Sequence, residues 1–418
     1  MNLSSLSEAR HVVGICGGAV GGSEAAALVA KTGSIAVVFE QNMRPYGKIE
    51  DGLPRWHSKL RNKEYAKIDE NLSTPGVVFV PGTQLGKDLS FSTLSNGIGL
   101  SVLILAHGAW RDRSLPIKGV DRFVGNGLSY QNPFVYWFNH YEESGFAGED
   151  FPIHDDAIVI GGGLASIDVC KILNLELYVR ALGDRGIAVD IEQMEVRGIP
   201  RTLEAHGFTP NDFKIRGCTL FYRRSKEDMP LENIKNPTAE RSEKLKGTRV
   251  KIMDKVIRKY LVRFQPNAVP VEVIEKKGAL NGLVFQRTEI VEGRVLRLEN
   301  TEFEVHSKQV ISSIGSTPVP IDGVPMKGEL YQWQNSEEGR LVDGVYGLGN
   351  VLTGKGNIVE SRRNSKQITP NIIEQVLASP KIPADGISRI MKLIQARWDA
   401  VGYGGRYADW ITAKRPAT

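Results

Sequence analysis

Two short apolar runs in this chain each lead directly into glycines and then into a segment of helix-forming residues. The first run covers 11–16 (HVVGIC) and precedes GGAVGG, and the second covers 157–160 (AIVI) and precedes GGGLAS. A short continuous apolar run is typical of a strand buried on both faces of a parallel sheet. The pattern therefore predicts two strand–turn–helix units, with helices over 23–31 and from 167 to about 177.

The first unit has the residue types that a dinucleotide-binding turn requires. Gly17 permits a tight turn, Gly22 lets the helix pack close to the strand, and the helix N-terminus offers N–H groups to a pyrophosphate. A second apolar run, 34–39 (SIAVVF), ends in Glu40, where a carboxylate accepts hydrogen bonds from an adenosine ribose. The unit departs from the usual pattern at its middle glycine, because Ala19 places a methyl group near the pyrophosphate.

The second turn keeps its first two glycines, Gly161 and Gly163, whereas Ser166 stands at the third glycine position. Between them, Leu164 and Ala165 complete a second predicted phosphate-binding turn at the start of a helix.

The strand that should pair with this second unit arrives late in the sequence. The next strand-like run is 218–222 (CTLFY), after a polar, helix-rich insertion over 181–217, and it ends in Arg223 and Arg224. A pair of arginines at this strand tip can hold a 2′-phosphate, whereas an acid repels it. The alternative is that both arginines simply belong to the basic surface. The pattern favours NADP(H) over NAD(H) at the second site.

A chain that binds two dinucleotides can pass a hydride from one ring to another. Nicotinamide carries two electrons as hydride, whereas a flavin accepts hydride and releases electrons singly. The first site is therefore interpreted as a site for non-covalent FAD and the second as a site for NADP(H). The expected fold class is α/β, with two Rossmann-like dinucleotide-binding domains.

Four further stretches resemble segments of one flavoprotein family, namely 44–48 (RPYGK), 52–57 (GLPRWH), 134–139 (FVYWFN) and 222–225 (YRRS). With the two turns, they make most of residues 11–370 similar to the adrenodoxin-reductase-like branch of ferredoxin–NADP(+) reductases, which is related to the glutamate synthase small subunit. The resemblance implies that Gly47 and Lys48 lie beside the flavin. It also implies that His57 lies near the isoalloxazine ring as a proton or electron relay, or as a residue that only orders its loop.

The resemblance also assigns a late segment of the chain to the FAD site. A predicted strand, 345–350 (VYGLGN), ends in Gly349 and Asn350, where many FAD proteins of this class have Gly-Asp and the named family has a tryptophan. After it, Gly356, Asn357 and Ile358 are expected to begin a helix whose N–H groups face the flavin N1–C2 edge.

The resemblance implies a discontinuous FAD domain. Its two parts would be 1–105 and 320–418, with the NADP(H) domain inserted over 106–319. Residues 106–109 (AHGA) and 311–315 (ISSIG) each end a predicted strand in a turn, which suits the two crossovers.

Three other segments have predicted structures. The stretch 250–310 is expected to form alternating strands. Residues 1–10 are short and Ser-rich, and they are interpreted as a frayed tail rather than a signal peptide. The amphipathic helix expected over 387–398, followed by an aromatic, basic end, is predicted to pack on the domain, with a partner contact as the alternative.

The distribution of charge points to a partner protein. The chain carries a formal charge of +5, and the span 223–259 holds twelve Lys and Arg against six Asp and Glu. The resemblance implies a ferredoxin-like iron–sulfur protein as the electron carrier. A basic surface of this kind attracts an acidic electron carrier. A second basic cluster, Arg55, Lys59, Arg61 and Lys63, could belong to the same docking rim. Solvated surface charge is the alternative for both groups.

Composition disfavours several other classes of protein. No apolar run is long enough to span a membrane, and no recognition motif for nucleic acid accompanies the basic charge. The three cysteines, Cys16, Cys170 and Cys218, lie far apart and form no CxxC, which suits a reducing cytoplasm and disfavours a disulfide reductase. No metal site is expected, and the pattern does not indicate an oligomeric state.

Two alternative functions stay open. The chain could be the flavin subunit of a glutamate-synthase-like or electron-bifurcating complex, although no cysteine-rich run precedes the first predicted strand in this sequence. It could also be a non-catalytic, flavin-bearing assembly subunit that no longer binds a pyridine nucleotide. The arginine pair and the second glycine turn disfavour that function.

Overall fold

The computed structural model describes residues 3–231, 238–354 and 356–415. The chain divides into two compact units. Unit 1 comprises Met1–Leu53, His57–Arg111 and Gly315–Thr418, and unit 2 comprises Pro54–Trp56 and Asp112–Ile314. The limits 1–105, 106–319 and 320–418 stay a prediction for the borders of the two binding domains.

The strands of the described residues are β1 Val12–Cys16, β2 Ile35–Phe39, β3 Val77–Val80, β4 Val102–Leu105, β5 Arg111–Asp112, β6 Leu128–Tyr130, β7 Ile158–Gly161, β8 Thr219–Phe221, β9 Arg263–Gln265, β10 Ala268–Lys276, β11 Ala279–Val291, β12 Arg294–Arg297, β13 Phe303–His306, β14 Val310–Ser313, β15 Ser316–Thr317, β16 Met326–Lys327, β17 Leu330–Tyr331, β18 Arg340–Val342 and β19 Val345–Gly347. The α-helices are α1 Val20–Ala30, α2 Lys48–Asp51, α3 Ser58–Leu72, α4 Gln131–His140, α5 Leu164–Gly183, α6 Ile191–Arg197, α7 Ile199–Ala205, α8 Ala239–Tyr260, α9 Asn350–Thr353, α10 Ile358–Ala378, α11 Ala384–Val401 and α12 Tyr407–Lys414.

Unit 1 is built on a six-stranded sheet with the order β18–β19–β4–β1–β2–β3. The strands from β19 to β3 run parallel, and β18 pairs antiparallel at the edge. Every residue of β1 and β2 is buried, as continuous apolar runs predict. The chain leaves β1 towards β2 on one side, and β4 lies on the other side. The carboxyl end of β1 is therefore a point where strand order reverses, and ligands bind there in α/β proteins.

Unit 2 repeats this arrangement with a five-stranded parallel sheet of order β6–β14–β7–β8–β9. The glycine turn follows β7, which lies between β8 and β14. The insertion between α5 and β8 contains α6 and α7, which explains why the partner strand arrives late in the sequence.

A separate antiparallel sheet of unit 2 contains β10, β11, β12 and β13. The expectation of strands over 250–310 was wrong for its beginning, because residues 250–260 are the last turns of α8. The buried residues of α8 are Leu245, Met253, Val256 and Tyr260. Their spacing follows the helical period of 3.6 residues, not the alternation of a strand.

The expectation of a frayed tail was also wrong for residues 3–10, whereas residues 1 and 2 lie outside the described residues. Leu3–Glu8 forms a 3₁₀-helix that contacts α11, and the Leu6 side chain is fully buried in the core of unit 1. The amide of Ala9 donates a hydrogen bond to the Leu6 carbonyl over 3.0 Å. Leucine at this position anchors the segment, because burying one large apolar side chain contributes about 2 kcal/mol.

The C-terminal helices pack on unit 1 as well. The Trp398 indole N–H donates to the carbonyl of Phe79 in β3 over 2.9 Å. The Trp410 indole N–H donates to the carbonyl of Met43 over 2.7 Å. Both indole rings are buried, so α11 and α12 complete the core.

Within the ranges that the structure describes, no helix is long and apolar enough to cross a membrane. No group of three or more His, Cys, Asp or Glu side chains in those ranges could hold a metal ion. The three cysteines are buried free thiols.

Candidate functional site

The first glycine turn of unit 1 has no room for side chains at two of its positions. Gly17 has φ +103°, and a Cβ atom there would lie 2.6 Å from the Ala106 carbonyl oxygen. A Cβ atom on Gly22 would lie 1.8 Å from the Gly17 carbonyl oxygen. The start of α1 therefore lies against the turn, as the pattern predicted.

Ala19 occupies the N-cap position of α1, and no side chain caps the first turn of this helix. A Cβ atom on Gly47 would lie 3.0 Å from the Ala19 methyl group, and Gly47 has φ +51°. The methyl group at the middle glycine position is thus accommodated by a glycine on the neighbouring segment. The alanine leaves the first N–H groups of α1 without a competing side-chain acceptor.

Glu40 lies beside this turn at the end of β2. Its Oε2 accepts a hydrogen bond from the Gly18 amide over 2.7 Å, and its Oε1 accepts one from the Asn42 amide over 2.9 Å. The carboxyl group is buried, and burial raises the pKa of Glu40 to about 7, although these N–H donors lower it. Each oxygen keeps a second lone pair, so this carboxyl group can also accept hydrogen bonds from a ligand hydroxyl.

Lys48 begins α2, directly after Gly47. Its ammonium group donates to the Ser316 hydroxyl over 3.1 Å and lies 5.4 Å from the centre of the Trp110 ring. The structure therefore places this cation between an early and a late segment of unit 1.

The late segment of unit 1 joins the first turn through α10. The Ser365 hydroxyl donates to the Gly21 carbonyl in α1 over 2.8 Å. Gly349 has φ +68°, and its amide donates to the Asn364 side chain over 2.6 Å. The residues predicted around the first glycine turn and those predicted in the late segment of unit 1 therefore lie on elements that pack against each other.

Asn350 begins α9 and contacts the start of α10. Its Oδ1 accepts a hydrogen bond from the Ser361 hydroxyl over 3.1 Å. A Cβ atom on Gly356 would lie 2.6 Å from the same Oδ1 atom. Asn357 caps α10, accepting a hydrogen bond from the Glu360 amide over 2.9 Å, and Ile358 is the first residue of that helix. The expected helix start is therefore at the predicted residue.

The second glycine turn lies in unit 2, and different groups pack against it. A Cβ atom on Gly161 would lie 2.6 Å from the Ser313 carbonyl oxygen and 2.6 Å from the Ser166 Cβ atom. The Ser166 hydroxyl donates to the Gly163 carbonyl over 2.7 Å, so serine fills the third glycine position with a hydrogen bond. A Cβ atom on Gly163 would meet nothing within 4 Å, which leaves the front of the turn open.

Helix α5 begins at Leu164, and no side chain caps its first turn. Leu164 is exposed, and Ala165 is half-buried. The N-terminus of this 20-residue helix can therefore offer N–H groups to an anion.

Arg223 and Arg224 follow β8, which pairs with β7 next to the second turn. The Tyr222 ring lies directly against this turn, because a Cβ atom on Gly162 would come within 2.1 Å of it. Arg223 is exposed, and Arg224 donates to the Gly293 carbonyl over 2.9 Å. The structure thus brings the arginine pair to the side of the turn where the sequence predicted it.

His57 ends a 3₁₀-helix, Arg55–His57, and precedes α3. Arg55 donates to the Glu142 carboxylate over 2.8 Å, and its guanidinium lies over the rings of Phe138 and Tyr141. The role of His57 stays a prediction.

The second basic cluster is only partly available for docking. Arg61 donates to the Tyr65 hydroxyl and to the Glu50 carbonyl, and Arg55 is held by Glu142. Only Lys59 and Lys63 of this cluster are exposed.

Residues 106–109 were expected only to form a crossover turn, yet His107 lies against the first glycine turn. A Cβ atom on Gly17 would be 2.8 Å from the His107 Cα atom. The ring nitrogen Nε2 lies 3.0 Å from the Tyr331 hydroxyl. No local signal marks this residue, because its partner is 224 positions away.

Comparison with curated proteins finds relatives over most of the chain. An NADPH:adrenodoxin oxidoreductase of Arabidopsis thaliana is 22% identical over 410 residues, covering 87% of this chain and 82% of the relative. A probable NADPH:adrenodoxin oxidoreductase of Schizosaccharomyces pombe is 23% identical, covering 86% and 82%. A glutamate synthase [NADPH] small chain of Mycobacterium tuberculosis is 27% identical over 168 residues, covering 38% of this chain and 32% of the relative. No family model matches the chain.

Solved structures show the same fold. Mycobacterium tuberculosis FprA in complex with NADPH has a TM-score of 0.72 at 19% identity, covering 98% of this chain and 96% of FprA. A thioredoxin reductase of T. acidophilum has a TM-score of 0.52 at 14% identity, covering 88% and 98%. The resemblance and the α/β class with two Rossmann-like domains are therefore confirmed.

Proposed function

We propose that this chain is an NADPH-dependent FAD oxidoreductase that passes electrons to a ferredoxin-like iron–sulfur protein. The observation that carries the proposal is a pair of similar glycine turns whose neighbouring strands end in different groups, a carboxyl group at one turn and two arginines at the other. The turn of unit 1 lies beside the Glu40 carboxyl group, and the turn of unit 2 lies beside Arg223 and Arg224. The two relatives that match most of the chain are named NADPH:adrenodoxin oxidoreductases, which agrees with this pair of sites.

The residues of unit 1 fit FAD. Gly17 and Gly22 let the turn and the start of α1 pack closely on the neighbouring backbone, an arrangement that suits pyrophosphate binding at a helix N-terminus. Ala19 leaves the first amides of α1 available to it, and Glu40 can accept hydrogen bonds from the adenosine ribose. The remaining proposed FAD residues lie on the segments packed around this turn: Gly47, Lys48, Gly349, Asn350, Gly356, Asn357 and Ile358.

Residues at two places in unit 2 fit NADPH. Gly161, Gly163, Leu164 and Ala165 form the open turn and the uncapped start of α5, which suit a pyrophosphate. Arg223 and Arg224 supply the charge that a 2′-phosphate requires, and a planar guanidinium can donate two hydrogen bonds to one phosphate.

When both nucleotides are bound, the nicotinamide supplies a hydride and the flavin distributes its electrons singly. The chain itself binds and orients the two nucleotides. The N-terminus of α10, with its positive end of the helix dipole, can stabilise negative charge on the flavin ring. We assign His57 a relay role near that ring, on the resemblance alone.

The basic surface suits an acidic acceptor. Four exposed basic residues on α8 recur at helical spacing and form one stripe on the side opposite its buried residues, with the exposed Arg241 at the edge of the stripe: Lys244, Lys251, Lys255 and Arg258. Such a stripe attracts a negatively charged carrier and accelerates its encounter. A cytoplasmic location, expected from the three reduced cysteines, belongs to the same proposal.

The test is a pair of anaerobic reductions of the purified protein. We expect a yellow protein whose flavin absorbance is bleached by NADPH at least about tenfold faster than by NADH, since only NADPH engages the arginine pair. The NADPH-reduced protein is then mixed with ferredoxins, flavodoxin and quinones at low and high salt. Electron transfer to an acidic ferredoxin should slow as salt screens the charges. A flavin that neither nucleotide reduces would contradict the proposal and favour a non-catalytic assembly subunit.

A further inference from the structure

The connection between β2 and α2, residues 40–47, packs against the first glycine turn of unit 1. A Cβ atom on Gly18 would lie 3.0 Å from the Pro45 Cβ atom. At the end of the connection, a Cβ atom on Gly47 would lie 3.0 Å from the methyl group at the middle glycine position of the turn. Glu40 stands at the beginning of the connection and accepts a hydrogen bond from the Gly18 amide. The conformation of the connection therefore sets the positions of two proposed FAD residues, Glu40 and Gly47.

The C-terminal helix α12 contacts the middle of this connection directly. The Trp410 indole N–H donates to the Met43 carbonyl over 2.7 Å, and the indole ring is buried. In the reverse direction, the Arg44 guanidinium donates to the Lys414 carbonyl over 2.8 Å. Trp410 and Lys414 lie one turn apart on α12, so a single helix face holds two consecutive residues of the connection. The arginine bond is exposed to solvent, and the buried indole bond is therefore the one that a substitution can test.

Helix α12 also contacts the connection through an aspartate of α3. Asp69 Oδ1 accepts a hydrogen bond from the Tyr407 hydroxyl over 2.6 Å and one from the Tyr46 hydroxyl over 3.1 Å. The Tyr46 ring is buried and stacks on the Tyr65 ring, with 3.9 Å between the ring centroids. Hydrogen bonds to a carboxylate are stronger than those between neutral groups. The shared carboxylate therefore links the start of α12 to the residue that precedes Gly47.

We propose that α12 positions the connection for FAD binding, with Trp410 and Tyr407 as positioning residues. This inference rests on the proposed FAD function. Neither side chain is assigned a contact with the cofactor. Each restricts the connection to the conformation in which Glu40 and Gly47 stand beside the turn before FAD binds. A protein whose binding-competent conformation is only partly populated binds its ligand more weakly by that fraction. Loss of these bonds therefore weakens FAD binding although every group proposed to contact FAD is still present.

Two tryptophans of the C-terminal helices provide a matched pair of substitutions. Trp410→Phe keeps an aromatic ring at its position and removes the indole N–H that reaches the connection. Trp398→Phe makes the same chemical change on α11, where a similarly buried indole donates to the Phe79 carbonyl over 2.9 Å. Phe79 belongs to β3, which is held in place by its pairing with β2. Both variants lose one indole bond to a backbone carbonyl, but only Trp410→Phe loosens the connection.

The experiment dilutes each holoenzyme stepwise and follows the fluorescence of released flavin, which gives the dissociation constant for FAD. Denaturant unfolding of the same proteins gives their stability. We expect Trp410→Phe and Tyr407→Phe to raise the dissociation constant about threefold to tenfold. Trp398→Phe should leave it within about twofold of the wild type, although its stability falls as much as that of Trp410→Phe. A merely structural role lowers stability in both tryptophan variants and does not separate their affinities for FAD.

Two results would overturn the inference. Equal weakening of FAD binding in Trp410→Phe and Trp398→Phe would trace the effect to the general packing of the C-terminal helices. An unchanged dissociation constant in both Trp410→Phe and Tyr407→Phe would show that α12 has no influence on the site. If Trp410→Phe does not fold, Tyr407→Phe is compared with Trp398→Phe in the same way. Both results leave the proposed function intact, since that proposal fails only if the wild-type protein holds no FAD or its flavin is reduced by neither nucleotide.

Discussion

The two glycine turns have similar backbones but are closed by different groups. In unit 1, Gly22 lies against the Gly17 carbonyl, and the Glu40 carboxyl group accepts a hydrogen bond from the Gly18 amide. In unit 2, Ser166 stands at the third glycine position, and its hydroxyl donates a hydrogen bond to the Gly163 carbonyl. The helix can therefore approach the strand closely when the third glycine position has either no side chain or a side chain that forms a hydrogen bond to the turn.

The larger difference is the charge beside each turn. Glu40 lies buried at the end of β2, and burial raises the pKa of its carboxyl group to about 7. Arg223 and Arg224 lie at the end of β8, where Arg223 is exposed. One turn therefore offers hydrogen-bond acceptors to a ribose, and the other offers cations to a phosphate. Under the proposed function, the strand next to each turn, and not the glycines, distinguishes the two nucleotide sites.

The largest expected effect comes from a methyl group inside the first turn. Gly22→Ala would place Cβ 1.8 Å from the Gly17 carbonyl oxygen, so α1 must move. We expect a loss of at least about 3 kcal/mol in the free energy of unfolding, together with loss of bound FAD. Denaturant unfolding and flavin absorbance measure the two quantities.

The neighbouring glycine of the same helix is a matched control. In Gly21→Ala the nearest atom to the new Cβ is the Leu348 Cβ at 3.9 Å, an ordinary contact. Because alanine favours helix over glycine, this variant should be as stable as the wild type or up to about 1 kcal/mol more stable. Equal losses of stability in Gly22→Ala and Gly21→Ala would contradict the steric effect that we expect at Gly22.

The next effect concerns the charges of unit 2. Arg223→Ala and Arg224→Ala should each raise the KM for NADPH about tenfold or more, because each removes a charged donor to the 2′-phosphate. The KM for NADH, which has no such phosphate, should stay unchanged in steady-state assays. Arg201→Ala, on the exposed side of α7, is the control for a general loss of positive charge. Equal increases for both nucleotides would remove the 2′-phosphate assignment.

A further effect, on stability alone, concerns the buried carboxyl group of unit 1. A carboxyl pKa raised in the folded state stabilises the fold below the unfolded value of 4.5, and this contribution is lost as pH rises towards 7. The stability of the FAD-depleted protein relative to Glu40→Gln should therefore fall by about 2–3 kcal/mol across this range. Burial lowers the pKa of His107 to about 4, and this contribution of opposite sign is present in both proteins and cancels. A difference that does not vary with pH would contradict a raised pKa for Glu40.

Local pattern was enough to predict the two turns and the strands that carry them. Glycine is required at Gly17, Gly22 and Gly161 because a Cβ atom there would clash with a backbone carbonyl. A glycine pattern of this kind can be recognised within a short stretch of sequence. The start of α10 at Ile358 could be predicted for a similar reason, since Asn357 and Glu360 form a capping box.

Features that depend on distant partners could not be predicted. The hydrogen bond that Glu40 accepts from the Gly18 amide depends on the register between β1 and β2. The contact between the His107 ring and the Tyr331 hydroxyl joins residues 224 positions apart, and Trp398 reaches β3 from more than three hundred residues away. In α8 the buried positions had a helical period, which the expectation of strands over 250–310 overlooked.

The division of unit 1 into separated segments has a consequence for synthesis on the ribosome. β4 pairs on one side with β1 and on the other with β19, which lies some 240 residues later in the chain. Residues 112–314 are complete first, so unit 2 can fold while that edge of β4 still lacks its neighbour. An unpaired edge strand invites association with other chains. Truncation or stalling before β19 should therefore yield an aggregating nascent chain that contains a folded unit 2.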